Sequence, residues 1–138
     1  LCDMRMNALP SITISQELFS IILEKLNTLQ KEESAKQGIQ TVKNVFTILG
    51  IEYNLQNVLD EYFTILGKYC DWFTFHYEKN ENHFRLVFET ELGPEWLKFL
   101  RLYVHAILHS LKINADNDSI AGSVMIFEIT NVMQCDAT

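Results

Sequence analysis

From residue 15 to residue 69 apolar positions recur at steps of three and four, the spacing of helices with one buried face. Ser15 is suited to cap a first helix over "QELFSIILEKLNTLQKEE" (16–33), with Phe19, Ile22, Leu26 and Leu29 turned inward. A second run, "SAKQGIQTVKNVFTILG" (34–50), aligns Ile39, Val42, Val45, Phe46 and Leu49 and stops at Gly50, which accepts the left-handed conformation of a helix end. Asn54 can cap a third, "LQNVLDEYFTILGKY" (55–69), with Leu55, Val58, Leu59, Tyr62, Phe63 and Leu66 facing inward. The pentapeptide "FTILG" occurs at 46–50 and again at 63–67. With little likeness around the two copies, they read as similar helix ends and not as a repeat unit.

Beyond residue 70 the period changes to two. In "WFTFHYEKNENHFRLVFETEL" Phe73, Phe75 and Tyr77 alternate with polar residues on one arm, and Phe84, Leu86 and Phe88 on the other, as a half-buried hairpin requires. A turn at Asn80 and Glu81 predicts that Tyr77 faces Phe84, Phe75 faces Leu86 and Phe73 faces Phe88. The outer face then carries Trp72, Thr74, His76 and Glu78 beside His83, Arg85, Val87 and Glu89, with His76 opposite Arg85. Next, Gly93 breaks the strand, Pro94 suits a first helical turn, and a long helix follows over 95–112. "NADNDSIAG" reads as a polar loop, and "SVMIFEIT" as a third strand apolar on both sides. The helical crossover predicts that this strand pairs antiparallel with the first, in the order two, one, three. Val124 and Ile126 then need a cover, either the N-terminal helices or a dimer partner.

The expected fold is therefore α+β: about three N-terminal helices, then a β-hairpin, a long helix and a third strand forming a three-stranded antiparallel sheet. A length of 138 residues suits one domain over 1–138, with 1–14 expected to be flexible, 15–69 helical, and 70–130 the hairpin, helix and strand. A charge of −7 disfavours binding to a phosphate backbone, so nucleic acid is not an expected partner. Three cysteines without CxxC spacing argue against a disulfide framework. No apolar run is long enough to span a membrane, and "LCDMRMNALPS" lacks the plan of a secretory signal, so a soluble, cytoplasmic chain is expected. Opening on Leu1 leaves room for an upstream start and further domains.

The stretch "FETELGPEWLKFLRLYVHAILHSL" followed by "SVMIFEIT" resembles a family of uncharacterised archaeal domains. In these a strand ending in Leu-Gly leads into a helix with a Trp in its first turn, and a short final strand follows. The resemblance covers roughly residues 73–130 and rests on Leu92, Gly93 and Trp96. It implies the strand, helix, strand arrangement and carries over no functional residue.

At about 100° per residue the long helix places Trp96, Leu100, Tyr103, Val104, Ile107 and Leu111 on a core side. Lys98, Arg101, Leu102, His105, His109 and Lys112 fall opposite. This helix concentrates basic residues in an otherwise acidic chain. A pair of histidines four apart can turn toward one metal ion, so His105 and His109 are candidate ligands, with His76, His83 or Cys70 to complete the set. Against this, no Glu follows His105 as a zinc hydrolase would need, and the flanking bases repel a divalent cation. The stripe alternatively suits docking to an acidic protein, an anionic small ligand or a second copy, or is a solvated face paired with acids such as Glu24, Glu32, Glu33, Asp60 or Glu61. Leu102 favours protein contact.

No nucleophile with its base, converging carboxylate pair or phosphate-binding glycine loop occurs at motif strength, and Cys70 beside Asp71 has its thiolate disfavoured. No cofactor is implied. The sequence points to a non-catalytic cytoplasmic interaction or sensing module that self-associates, with Lys98, Arg101, Leu102, His105, His109 and Lys112 as its docking face. The alternative is a small-ligand-binding or metal-dependent enzyme using His105 and His109.

Overall fold

The computed structural model describes residues 14–115 and 117–130, so the N-terminal segment expected to be flexible lies almost wholly outside the described residues. The fold is α+β, with four helical segments and a four-stranded antiparallel sheet among them. Helix α1 spans Gln16–Lys25, and the Ser15 side chain accepts from the Leu18 N–H as its cap. The expected first helix does not run on to residue 33. It stops at Leu26, because Asn27 and Gln30 form a capping box that starts α2, Thr28–Leu49. Two residues expected inward, Ile22 and Leu29, are exposed in consequence, while Leu23 is buried. The apolar stripe of α2 is as expected: Val42, Val45 and Phe46 are buried, and Gly50 ends the helix at φ 67°.

Asn54 caps the third segment, α3 (55–70), which starts as a short α-helical turn, Leu55–Asn57. The segment then widens into a π-turn, Val58–Tyr62, and closes as α-helix Phe63–Cys70. All six residues expected inward here are buried. The π-turn was not foreseen; the Phe63 N–H reaches back to the Val58 carbonyl there.

Strands β1 (Thr74–Asn80) and β2 (His83–Glu89) form the expected hairpin, with the turn one residue later at Glu81 and Asn82. Glu81 takes φ 54°. Phe75 therefore faces Phe88, Tyr77 faces Leu86, and His76 faces Val87, not Arg85. Moving the turn by one residue shifts every partner by two, so the inward and outward faces survive the change. Trp72 is not on the outer face; its ring packs edge-on against Trp96 at 5.1 Å.

Helix α4 spans Pro94–Ser110, and its buried set adds Leu97 and Leu108 to the expected one, with Leu111 only half-buried. The supposed loop after it holds a further strand, β3 (Asn117–Ala121), which forms a hairpin with β4 (Val124–Ile129) through Gly122 and Ser123. Gly122 lies at φ 61°, as the first position of a Gly-led two-residue turn can require. The sheet order is β1-β2-β4-β3, so β4 pairs with β2 and the expected order of two, one, three is wrong.

Burial alternates along β2 and β4. Phe84, Leu86, Phe88, Met125, Phe127 and Ile129 are buried beneath the helices. Phe63 of α3 meets Phe75 and Phe88, each at 5.2 Å. Helix α2 packs along α4 in the same direction, since Lys31 meets Glu95 at the start of α4 and Gly38 meets Tyr103 further along. Among the described residues no helix lies on the opposite face of the sheet. Val124 and Ile126 stay half-exposed there, so the N-terminal helices do not cover them. One row across that face runs His76, Val87, Ile126, Ser119, and the next runs Glu78, Arg85, Glu128, Asn117.

Candidate functional site

The basic side of α4 is built by helical spacing, but most of its charge is answered within the chain. Near the N-terminus of α4, Glu95 accepts from Lys31 Nζ at 2.8 Å and from Lys98 Nζ at 3.0 Å. These two ammonium groups hold the Glu95 carboxyl below the usual carboxylate range. One turn further, Arg101 and His105 converge on Asp118 of β3. Arg101 Nε donates to one carboxylate oxygen, Arg101 Nη2 lies 3.4 Å from the other, and His105 Nε2 lies 3.3 Å from that same oxygen.

Asp118 is on the helix-facing side of β3 because its register partner is the buried Phe127. Its side chain is 15% exposed while that of Arg101 is 46% exposed, so the pair is partly shielded from water on the carboxylate side only. The Arg101 hydrogen bond first, and His105 further, depress the Asp118 pKa against the opposing effect of burial; the same bond raises that of Arg101. The His105 ring stands edge-on to Phe127 at 4.9 Å, so this histidine is half-buried between the helix and the sheet and does not sit in the middle of an open stripe.

Of the six residues expected to form a docking face, Lys98, Arg101 and His105 thus have acidic partners within the chain. These are Glu95 and Asp118, not Glu24, Glu32, Glu33, Asp60 or Glu61. Leu102 is half-buried against the core. His109 is exposed, and Lys112 lies just past the helix at φ 60°. The structure therefore strings the six along α4 and the turn that follows it, and ties the central part of the set, Arg101 and His105, to β3. Among the described residues no three His, Cys, Asp or Glu side chains converge as a metal site would need. Cys70 has its thiol pKa raised, by burial first and then by Asp71, the direction expected for a poor nucleophile.

Two further clusters lie away from α4's basic side. On the open sheet face, His83 Nε2 lies 2.7 Å from Glu128 Oε2 without the alignment of a hydrogen bond, and Arg85 Nε lies 3.4 Å from Glu128 Oε1. In the core, the Tyr62 and Tyr103 hydroxyls share a hydrogen bond of 2.7 Å. Burial pushes the Tyr103 pKa up to about 12 and that of Tyr62 higher still, so both remain protonated at neutral pH.

The feature that pattern reading missed is α1, which is apolar on two sides. Phe19 and Leu23 turn toward α4, with the Phe19 ring edge-on to Trp96 at 5.3 Å. Leu18, Ile21 and Ile22 turn away and are 49%, 53% and 43% exposed. Ile14 and Leu29, which flank the helix in sequence, are exposed as well. The signal was present in "LFSIIL", where five of six positions are apolar and no single helical face can hold them all.

No helix among the described residues is long and apolar enough to cross a membrane. No protein-family model matches the chain, and no curated protein matches it.

Proposed function

We infer that the protein is a non-catalytic interaction module that self-associates, and that the contact is made by the outer face of α1. The observation that carries this reading is the exposure of Leu18, Ile21 and Ile22 together on a helix whose other side is already docked. Scattered single apolar residues are ordinary on a surface, whereas three at i, i+3 and i+4 form a contiguous helical patch that gains by leaving water. The basic side of α4 is the weaker docking surface. Arg101 and Lys98 already hold carboxylates of this chain, and a partner would have to displace them.

Sedimentation velocity over a range of protein concentrations tests the reading. The wild-type chain should move from monomer to a larger species as concentration rises. The triple variant Leu18→Ser, Ile21→Ser, Ile22→Ser should remain monomeric with an unchanged near-UV circular dichroism spectrum, because Phe19 and Leu23 still anchor the helix. A wild-type protein that stays monomeric to millimolar concentration defeats the proposal.

A further inference from the structure

Resting on that reading, we propose that two copies of the chain pair α1 against α1 in antiparallel fashion about a two-fold axis between Ile21 and Ile22, and that Glu17 and Lys25 set this orientation. A two-fold interface must be self-complementary: if position i of one copy meets j of the other, then j meets i. The outer face of α1 meets that condition. Positions 18, 21, 22 and 25 lie on one side of the helix, and inversion about the point midway between 21 and 22 exchanges 21 with 22 and 18 with 25.

In the pair, Ile21 of each copy packs on Ile22 of the other. Leu18 lies level with Lys25 of the second copy and covers the aliphatic stem of that side chain. The ammonium group at its end then reaches Glu17, which is displaced along the axis by one residue, about 1.5 Å. Glu17 and Lys25 are both exposed, and neither has an ion-pair partner among the described residues. Parallel pairing would instead set Glu17 beside Glu17 and Lys25 beside Lys25. The charges of the helix thus choose the antiparallel arrangement, and its symmetry closes the assembly at two copies.

Charge reversal in the full chain tests the orientation by sedimentation equilibrium. Glu17→Lys and Lys25→Glu should each weaken dimerisation roughly tenfold, since each replaces two attractions per dimer by two repulsions. The double variant Glu17→Lys, Lys25→Glu should return to near wild-type affinity. Helix-dipole effects predict the reverse order for the double variant, because both reversals oppose the macrodipole of α1 and their costs add. A double variant weaker than either single, or single reversals without effect, overturns the antiparallel pairing. If the apolar triple variant still abolishes dimerisation in that case, self-association through α1 stands and only the orientation falls. A wild-type chain that never dimerises removes both.

Discussion

Replacing Gly38 by Ala isolates one close contact on which the packing of α2 against α4 depends. Gly38 sits within α2, where Ala is intrinsically the better helix former by about 0.8–1.0 kcal/mol. A Cβ at this position would stand 2.6 Å from Cε2 of Tyr103, a separation that cannot be kept. The Tyr103 ring is not free to swing away: it is 5% exposed, and its hydroxyl is bonded at 2.7 Å to that of Tyr62, which is equally buried. Forcing the ring aside costs about 1–3 kcal/mol in overpacking, and stranding the two hydroxyls costs about 1–3 kcal/mol more if their bond breaks. After the helix-propensity gain, the net effect is a loss of about 1–5 kcal/mol if the hydroxyl bond breaks and of about 0–2 kcal/mol if it holds. Urea unfolding at 25 °C and low protein concentration measures it as a fall in midpoint at constant m. In a Tyr103→Leu background the obstructing ring is gone, and the same substitution should stabilise by about 1 kcal/mol. A Gly38→Ala variant more stable than wild type in the native background refutes the account.

Asp118→Asn should destabilise the protein by about 1 kcal/mol at pH 7, a figure kept small because nearly half of the Arg101 side chain is open to water. The folded-state pKa of Asp118 is depressed, so its contribution is complete above the unfolded carboxylate value of about 3.9 and disappears as pH falls through the folded one. Thermal unfolding of wild type and variant should accordingly converge in strong acid; a difference that persists there assigns the effect to packing. Glu81→Gly should stabilise the β1–β2 hairpin by about 0.5–1 kcal/mol, because Glu81 stands at φ 54° where a Cβ is costly and only the extra freedom of an unfolded glycine offsets the gain. Equal or lower urea midpoints for that variant would show that the Glu81 side chain contributes something the turn geometry does not require.

What the amino-acid pattern revealed and what it hid divide along physical lines. The inward sets of α2 and α3, the Gly50 end and the Asn54 cap depend on residues within a turn or two of one another, and all were legible. The break at Asn27 was hidden because Phe19, Ile22, Leu26 and Leu29 keep a helical spacing straight across it; only the capping box of Asn27 and Gln30 marks it. Strand β3 was hidden for the opposite reason. An edge strand covered on one flank need not be apolar, and "NDSIA" has the composition of a loop, although Gly122 and Ser123 signalled the hairpin. Asp118 was consequently invisible as the partner of Arg101, since its place beside α4 is set by the pairing of β3 with β4 and not by any spacing along the chain.

Helix α1 stands between these cases, and its energetics link the fold to the proposed association. At ten residues it is too short to persist alone in water, so it exists because Phe19 and Leu23 rest on α4. That same contact completes the burial of Trp96, whose Nε1 donates to the Trp72 carbonyl at 3.0 Å. A second copy laid on Leu18, Ile21 and Ile22 would bury the remaining side of a helix that the monomer holds by one face. Anything that binds the docked helix and not the released one stabilises docking by mass action. On the proposed self-association, dimerisation and the docking of α1 over Trp96 would be one coupled equilibrium, with the exposed isoleucines as the linkage between the core and a second copy.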